Sequence, residues 1–215
     1  MVSHLPHKMH IQKHLPLRRR TRGKGSALVE FVMATGFFIV PLLVGIMVIG
    51  QNLILANLVT LVCRDAAHMY AYGVDFSQTG NQNLLIQVAQ GINMTTTGGN
   101  GVVILSTVTY VASTDCTAAG YQANTTSCPN MNQTVFIRRI VIGNSSLTSS
   151  AYGTPNSSIL NSDGTISTAN YLTDPSAQAA NFSSLITLAS GQYAYMAEMY
   201  VSSFNSSGVY SRSIF

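Results

Sequence analysis

A long run of uncharged residues near the N-terminus limits what this chain can fold into. The acidic residue Glu30 precedes the run and Arg64 ends it, so the 33 residues from Phe31 to Cys63 contain no Asp, Glu, Lys or Arg. As a helix rising about 1.5 Å per residue, this run would be about 50 Å long. A bilayer core needs only about 20 apolar residues. The sequence therefore predicts a membrane-crossing helix that continues beyond the membrane.

The predicted helix covers residues 26–72 and has two parts. Residues 31–50 are apolar on all sides, which suits lipid, whereas residues 51–72 add polar side chains and keep apolar ones at intervals of three or four. The second part is therefore expected to be amphipathic and to pack on a globular domain or on neighbouring helices. Pro41 lies in the apolar part and is expected to kink the helix. It could simply bend the anchor, or it could loosen the helix for a move from bilayer to assembly.

Charge is distributed unevenly between a leader and the rest of the chain. Seven of the 11 basic residues lie before Ser26, and all seven acidic residues lie after Gly25. Basic residues next to an apolar span stay in the cytoplasm, which places residues 1–25 inside and the C-terminal part outside. The basic run is thus a topology signal, and we expect no nucleic-acid partner. An ordinary secretory signal peptide fits poorly, because no small-residue cleavage site follows the apolar run.

The junction between leader and helix carries the candidate functional residues. Gly25 ends the leader, Ser26 begins the helix, and Glu30 is the single carboxylate at the start of the apolar run. A carboxylate near the membrane needs a partner. Cleavage after Gly25 would give Ser26 a free α-amine, the natural partner for Glu30 in the same chain or a neighbouring one. The alternative is an interfacial Glu30 that reaches the head groups and favours the helix N-terminus.

Residues 73–215 form the predicted extracytoplasmic domain. Runs rich in β-branched residues predict strands over 101–113, 133–144 and 192–204, and the pattern over 83–94 predicts a short helix. Three strands joined by long connections favour an antiparallel sheet over βαβ units. With the preceding helix packed on one face, the expected fold class is α+β: a long N-terminal transmembrane and amphipathic helix followed by a small antiparallel sheet.

Two features of this domain carry further expectations. The polar stretch 145–184 is expected to be a long surface excursion with one helical turn around 175–180. Arg138 and Arg139 are consecutive in the second predicted strand, so their side chains face opposite sides of the sheet. We expect one to point outward and the other to lie beside an acidic residue such as Glu198.

The remaining candidate chemistry is sparse. Cys116 and Cys128 lie in the predicted exported part, where a disulfide could close a short loop, although two free thiols are the alternative. Cys63 is expected to be a packed small residue. The histidines of the leader lie among basic residues that repel a cation, and His68 is the only one after Gly25. We therefore expect no catalytic triad, no metal site, no cofactor and no enzymatic activity.

Residues 22–72 resemble the N-terminus of a known family. Arg-Gly-Lys-Gly before Ser-Ala-Leu-Val-Glu-Phe, followed by an apolar run broken by Pro41, resembles TadE-like minor pilins of the tight-adherence (Tad, Flp) type IV pilus system. This resemblance implies cleavage by a prepilin peptidase between Gly25 and Ser26, and it implies that Glu30 engages the N-terminus of a neighbouring subunit. It also implies a precursor in the inner membrane and later a cell-surface pilus used for adhesion or secretion. The implied partners are other pilin subunits and the Tad assembly platform.

A second hypothesis needs no processing. The chain could be a single-pass envelope protein that keeps its leader and whose outer domain binds a ligand. The two hypotheses predict different N-termini for the mature protein.

Overall fold

The computed structural model describes residues 25–147, 150–202 and 208–215. The predicted leader lies outside the described residues except for Gly25. The described helices are α1 (Ser26–Ala34), α2 (Val40–Ala71), α3 (Thr79–Val88), α4 (Ser113–Ala118) and α5 (Thr168–Thr173), and a π-helical turn (Thr35–Ile39) joins α1 to α2. The described strands are β1 (Gly101–Tyr110), β2 (Thr134–Gly143), β3 (Tyr193–Val201) and β4 (Val209–Ile214). The chain divides into two compact units, one ending at Val48 and the other running from Ile49 to Phe215.

The first unit is helical and apolar, and none of its described residues is buried. Helices α1 and α2 with the turn between them form one helical stretch from Ser26 to Ala71, long and apolar enough to cross a membrane by length and composition. The π-helical turn ends two residues before Pro41. Proline has no N–H to donate and its ring crowds the preceding turn, so a locally widened helix can accommodate it. The predicted kink at Pro41 stays a prediction.

The second unit contains a four-stranded antiparallel sheet in the order β2-β1-β3-β4. Strand β1 is central and pairs with β2 on one side and with β3 on the other. The predicted α+β fold class, a long apolar helix before a small antiparallel sheet, is confirmed. The three predicted strands correspond to β1, β2 and β3, but the prediction of only three was wrong because it missed β4.

One face of the sheet, which we call the helix face, packs against α2. The core there combines apolar side chains of β1, β2 and β3 with side chains of α2 and α3. On α2 the buried residues are Val59, Val62, Cys63, Ala66, Ala67 and Tyr70. Their spacing is that of one helical face, as the amphipathic pattern predicted. Leu53 belongs to the same predicted amphipathic stretch, 51–72, and fits the same spacing, but it is exposed, so the packed part of α2 begins later than expected.

The opposite face, which we call the loop face, is covered by the segment between β2 and β3. The expectation of a surface excursion was wrong, because this segment buries a second apolar core against the sheet. Its helical parts are α5 and several short 3-10 turns, one of them Pro175–Ala177. The buried residues of the segment in this core are Tyr152, Ile159, Ile166, Ala177, Ala179, Phe182 and Leu188. The sheet therefore has apolar cores on both faces.

The predicted short helix over 83–94 is displaced in the structure. Helix α3 starts at Thr79 and ends at Val88, and a 3-10 turn, Gln90–Ile92, follows it. Asn93 then adopts a left-handed conformation with φ of 53°, which prevents the helix from continuing.

Candidate functional site

The junction at the start of α1 brings two of the predicted residues into contact. Gly25 is the N-cap and has no side chain to satisfy the first backbone N–H groups. The Ser26 hydroxyl donates to Oε1 of Glu30 at 3.0 Å, one helical turn further on. All three residues are exposed. In the uncut chain, Glu30 therefore accepts a hydrogen bond from the neutral hydroxyl of Ser26. Cleavage after Gly25 would turn the backbone nitrogen of this same residue into an amine.

A wide apolar surface follows this junction. From Leu28 to Ile54, most large apolar side chains are more than half exposed, and the aromatic ones are Phe31, Phe37 and Phe38. An exposed apolar surface of this size is typical of a segment that contacts lipid or another protein. The first charged residues beyond it are the exposed Arg64 and the half-exposed Asp65, whose Nε and Oδ1 atoms lie 3.9 Å apart. An exposed pair of this kind contributes little to stability.

The two arginines of β2 lie on opposite faces of the sheet, as expected for consecutive residues. Arg138 lies on the helix face and forms an ion pair with the half-exposed Asp75. The Ser77 hydroxyl and backbone N–H, together with Arg138, hold the pKa of Asp75 below its usual value. This group therefore links the segment after α2 to the sheet.

Arg139 lies on the loop face and is only 3% exposed. It donates to the Gly153 carbonyl at 3.0 Å, and its guanidinium lies 5.8 Å from the centre of the Phe136 ring. Burial lowers the pKa of Arg139 and the negative charge of Glu198 opposes that change. Because an arginine side chain holds its proton so strongly, the guanidinium is still a cation at neutral pH.

Glu198 lies on the same face of the sheet and is 1% exposed. Its carboxylate accepts hydrogen bonds from the Ser150 hydroxyl at 2.6 Å, the Ala151 N–H at 3.0 Å and the Tyr210 hydroxyl at 2.7 Å. Burial, followed by the adjacent Glu198, raises the pKa of Tyr210 well above its ordinary range, so this hydroxyl remains a donor. Because the carboxylate is buried and its partners belong to the fold, we interpret it as a structural group.

The candidate catalytic and metal-binding residues do not form a site in the part of the chain that the structure describes. No group of three or more His, Cys, Asp or Glu side chains with metal-binding geometry occurs among those residues. The His68 ring is tilted by 47° against the Tyr72 ring, with ring centres 4.5 Å apart, and it meets the Phe215 ring edge to face. The histidines of the leader lie outside the described residues.

Cys116 and Cys128 form a disulfide. Both are fully buried, and a small apolar cluster of Val111, Val135 and Leu172 surrounds them. The bond closes the irregular connection between β1 and β2. Cys63 is a free thiol in the core, where its Sγ lies 3.4 Å from the Ala197 carbonyl oxygen.

The sequence predicted that one arginine of this strand would lie near an acidic residue such as Glu198, and Arg139 shares the loop face with that residue. The two residues are far apart in the chain, and they share the loop face only because β1 lies between β2 and β3. The one usable signal is the occurrence of charged residues within otherwise apolar strands.

Family models, curated proteins and solved structures contain no match to this chain. The functional conclusion therefore depends on the residues and their geometry.

Proposed function

We propose that this chain is the precursor of a minor pilin or pseudopilin of a Tad-like type IV pilus. In this proposal the leader stays in the cytoplasm, the apolar helix lies in the inner membrane and a prepilin peptidase cuts after Gly25. The mature subunit then enters a cell-surface filament, or its tip, through contacts with other pilin subunits and with the Tad assembly platform. The observation that carries the proposal is the lone carboxylate Glu30, one turn after Ser26 at the start of an exposed apolar helix.

The physical reason is the cost of an unpaired charge in lipid. A charged side chain within the apolar core costs a few kcal/mol, and the cost falls when an opposite charge lies beside it. The Ser26 hydroxyl that now contacts Glu30 carries no charge. An α-amine on Ser26, in the same or a neighbouring subunit, would supply a cation to the same carboxylate. Pairing between subunits would also align their apolar helices, whose exposed side chains could then pack together.

The test is the mass of the mature protein purified from its host. We expect an N-terminus at Ser26 for the wild type, and an uncut chain for Gly25→Val, because the larger side chain changes the residue at the scissile bond. Gly45→Val is the matched control. Gly45 also lies in the helical stretch, and no neighbouring atom lies within 4 Å of the position that a β-carbon would take there, so cleavage should be normal.

A mature protein that keeps residues 1–25 would contradict the proposal. It would support instead the single-pass envelope protein with an outer ligand-binding domain, which has the same apolar helix but requires no cleavage.

A further inference from the structure

Two adjoining depressions lie on the sheet, next to the end of α2. Their volumes are about 420 Å³ and about 270 Å³. Ile137, Thr165 and Tyr193 line both, so the two form one continuous surface. The first is also bordered by Gly73 and Val74, just after α2 ends. Sites for small ligands commonly have volumes of about 300–1,000 Å³.

Tyrosine is the dominant side chain of this surface. Five of the ten tyrosines in the chain line it: Tyr70, Tyr110, Tyr171, Tyr193 and Tyr195. Tyr193 is 57% exposed and belongs to both depressions, so its ring is the one most available to a ligand. A tyrosine ring presents an apolar face with negative π density together with a polar hydroxyl.

The surface is built in advance by contacts within the fold. The Tyr70 hydroxyl and the Thr107 Oγ1 are hydrogen-bonded at 2.7 Å, and the Tyr70 and Tyr195 rings meet edge to face with centres 5.6 Å apart. Tyr193 pairs with Thr109 of β1, whose hydroxyl donates to the Gln192 carbonyl at 2.8 Å. Side chains held in this way lose little conformational freedom when a ligand binds.

The charged groups of this surface already have partners within the fold. Among the described residues that line it, the charged ones are Arg138 and Asp115. Arg138 is paired with Asp75, and Asp115 accepts a hydrogen bond from the Ala112 N–H at 2.7 Å. An anionic ligand such as a phosphate would find no unpaired cation among these described residues, and the many hydroxyl groups do not favour a purely apolar ligand.

We propose that this surface binds an uncharged carbohydrate. The C–H face of a sugar ring would stack on Tyr193, and its hydroxyls would exchange hydrogen bonds with the Asp115 carboxylate and the hydroxyl of the exposed Tyr193. The two depressions share Tyr193, which suits consecutive units of an oligosaccharide. This inference does not depend on cleavage of the leader or on filament assembly.

The experiment uses the purified full-length chain in a detergent whose head group is not a sugar. The protein is applied to an array of uncharged oligosaccharides ending in glucose, galactose or N-acetylglucosamine. The same array carries sialylated and sulfated glycans and proline-rich peptides, since such peptides also dock on aromatic grooves. We expect binding to at least one uncharged oligosaccharide, and we expect Tyr193→Ala to weaken it about tenfold.

Two further variants show whether weaker binding comes from the loss of ring stacking or from a general loss of folded structure. Tyr193→Phe keeps the ring and should retain most of the binding. Tyr72→Ala is the matched control, because Tyr72 is 78% exposed and lines neither depression, and it should bind like the wild type. The proposal is overturned if only anionic glycans or proline-rich peptides bind, if nothing on the array binds, or if Tyr193→Ala binds as well as Tyr72→Ala.

Discussion

Replacing Glu198 measures how strongly the buried polar groups hold the loop face together. The carboxylate fixes Ser150 and Ala151 of the covering segment and Tyr210 of β4. It also supplies negative charge near the buried Arg139. Glu198→Ala removes the acceptor for all three donors and leaves the arginine without that charge.

The expected loss of stability follows from these contacts. Hydrogen bonds to a charged acceptor contribute about 1.5–3 kcal/mol each, and a buried donor left without its acceptor loses that amount. Because the Ala151 N–H and the Ser150 and Tyr210 hydroxyls share one acceptor, their contributions do not add fully, and we expect a loss of about 3–5 kcal/mol. Glu198→Gln keeps the shape of the side chain and one acceptor oxygen, so we expect a smaller cost of about 1–2 kcal/mol.

The assay is thermal unfolding of the full-length chain in detergent, followed by circular dichroism. For a domain of this size we expect Glu198→Ala to lower the Tm by about 6–20 °C. Glu30→Gln is the matched control, because it also removes one negative charge but Glu30 is exposed and outside the core. The reasoning would be refuted if Glu198→Ala had the same Tm as the Glu30→Gln variant, or if Glu198→Gln lost as much stability as Glu198→Ala.

Three further predictions test other contacts. Asp75 has a lowered pKa in the folded chain, so its contribution to stability is present above about pH 4 and is lost on acidification. Asp75→Asn should therefore lower the Tm at pH 7, and the difference in Tm from the wild type should shrink as the pH falls below about 4. Replacing Cys116 and Cys128 together by serine should lower the free energy of unfolding by about 3 kcal/mol in chemical denaturation, given a separation of 12 residues. Alkylation of the denatured wild type should label one cysteine before reduction and three after it. Glu30→Ala should leave membrane insertion and cleavage intact but reduce recovery of the protein in sheared filaments; wild-type recovery would argue against a role for this carboxylate in assembly.

The elements with strong local patterns could be predicted from the sequence. The strands β1, β2 and β3 are rich in Val, Ile and Tyr, and the buried face of α2 repeats every three or four residues. Strand β4 was missed because it contains two serines and Arg212 and has only six residues. Its strand conformation comes from pairing with β3, which is a tertiary contact.

The loop face could not be predicted for a related reason. Its apolar side chains are widely spaced in a polar segment, so no helical or strand period connects them. They become neighbours only when the segment folds over the sheet. The sequence suggested an acidic neighbour such as Glu198 for one of the two consecutive arginines, but which arginine it would be depends on strand order and register, which the sequence does not encode locally.

The acidic residues of the folded domain show by contrast why Glu30 is unusual. These acidic side chains find their partners within the domain. Glu198 accepts three hydrogen bonds, Asp75 accepts from Ser77 and pairs with Arg138, and Asp163 accepts from Thr165. Within the described residues, Glu30 has only the neutral hydroxyl of Ser26, at the edge of a surface suited to lipid. A carboxylate in that position gains most from a cation supplied from outside the folded domain. In the proposed precursor that cation is the Ser26 amine, which exists only once the chain is cut, so processing has to come before assembly.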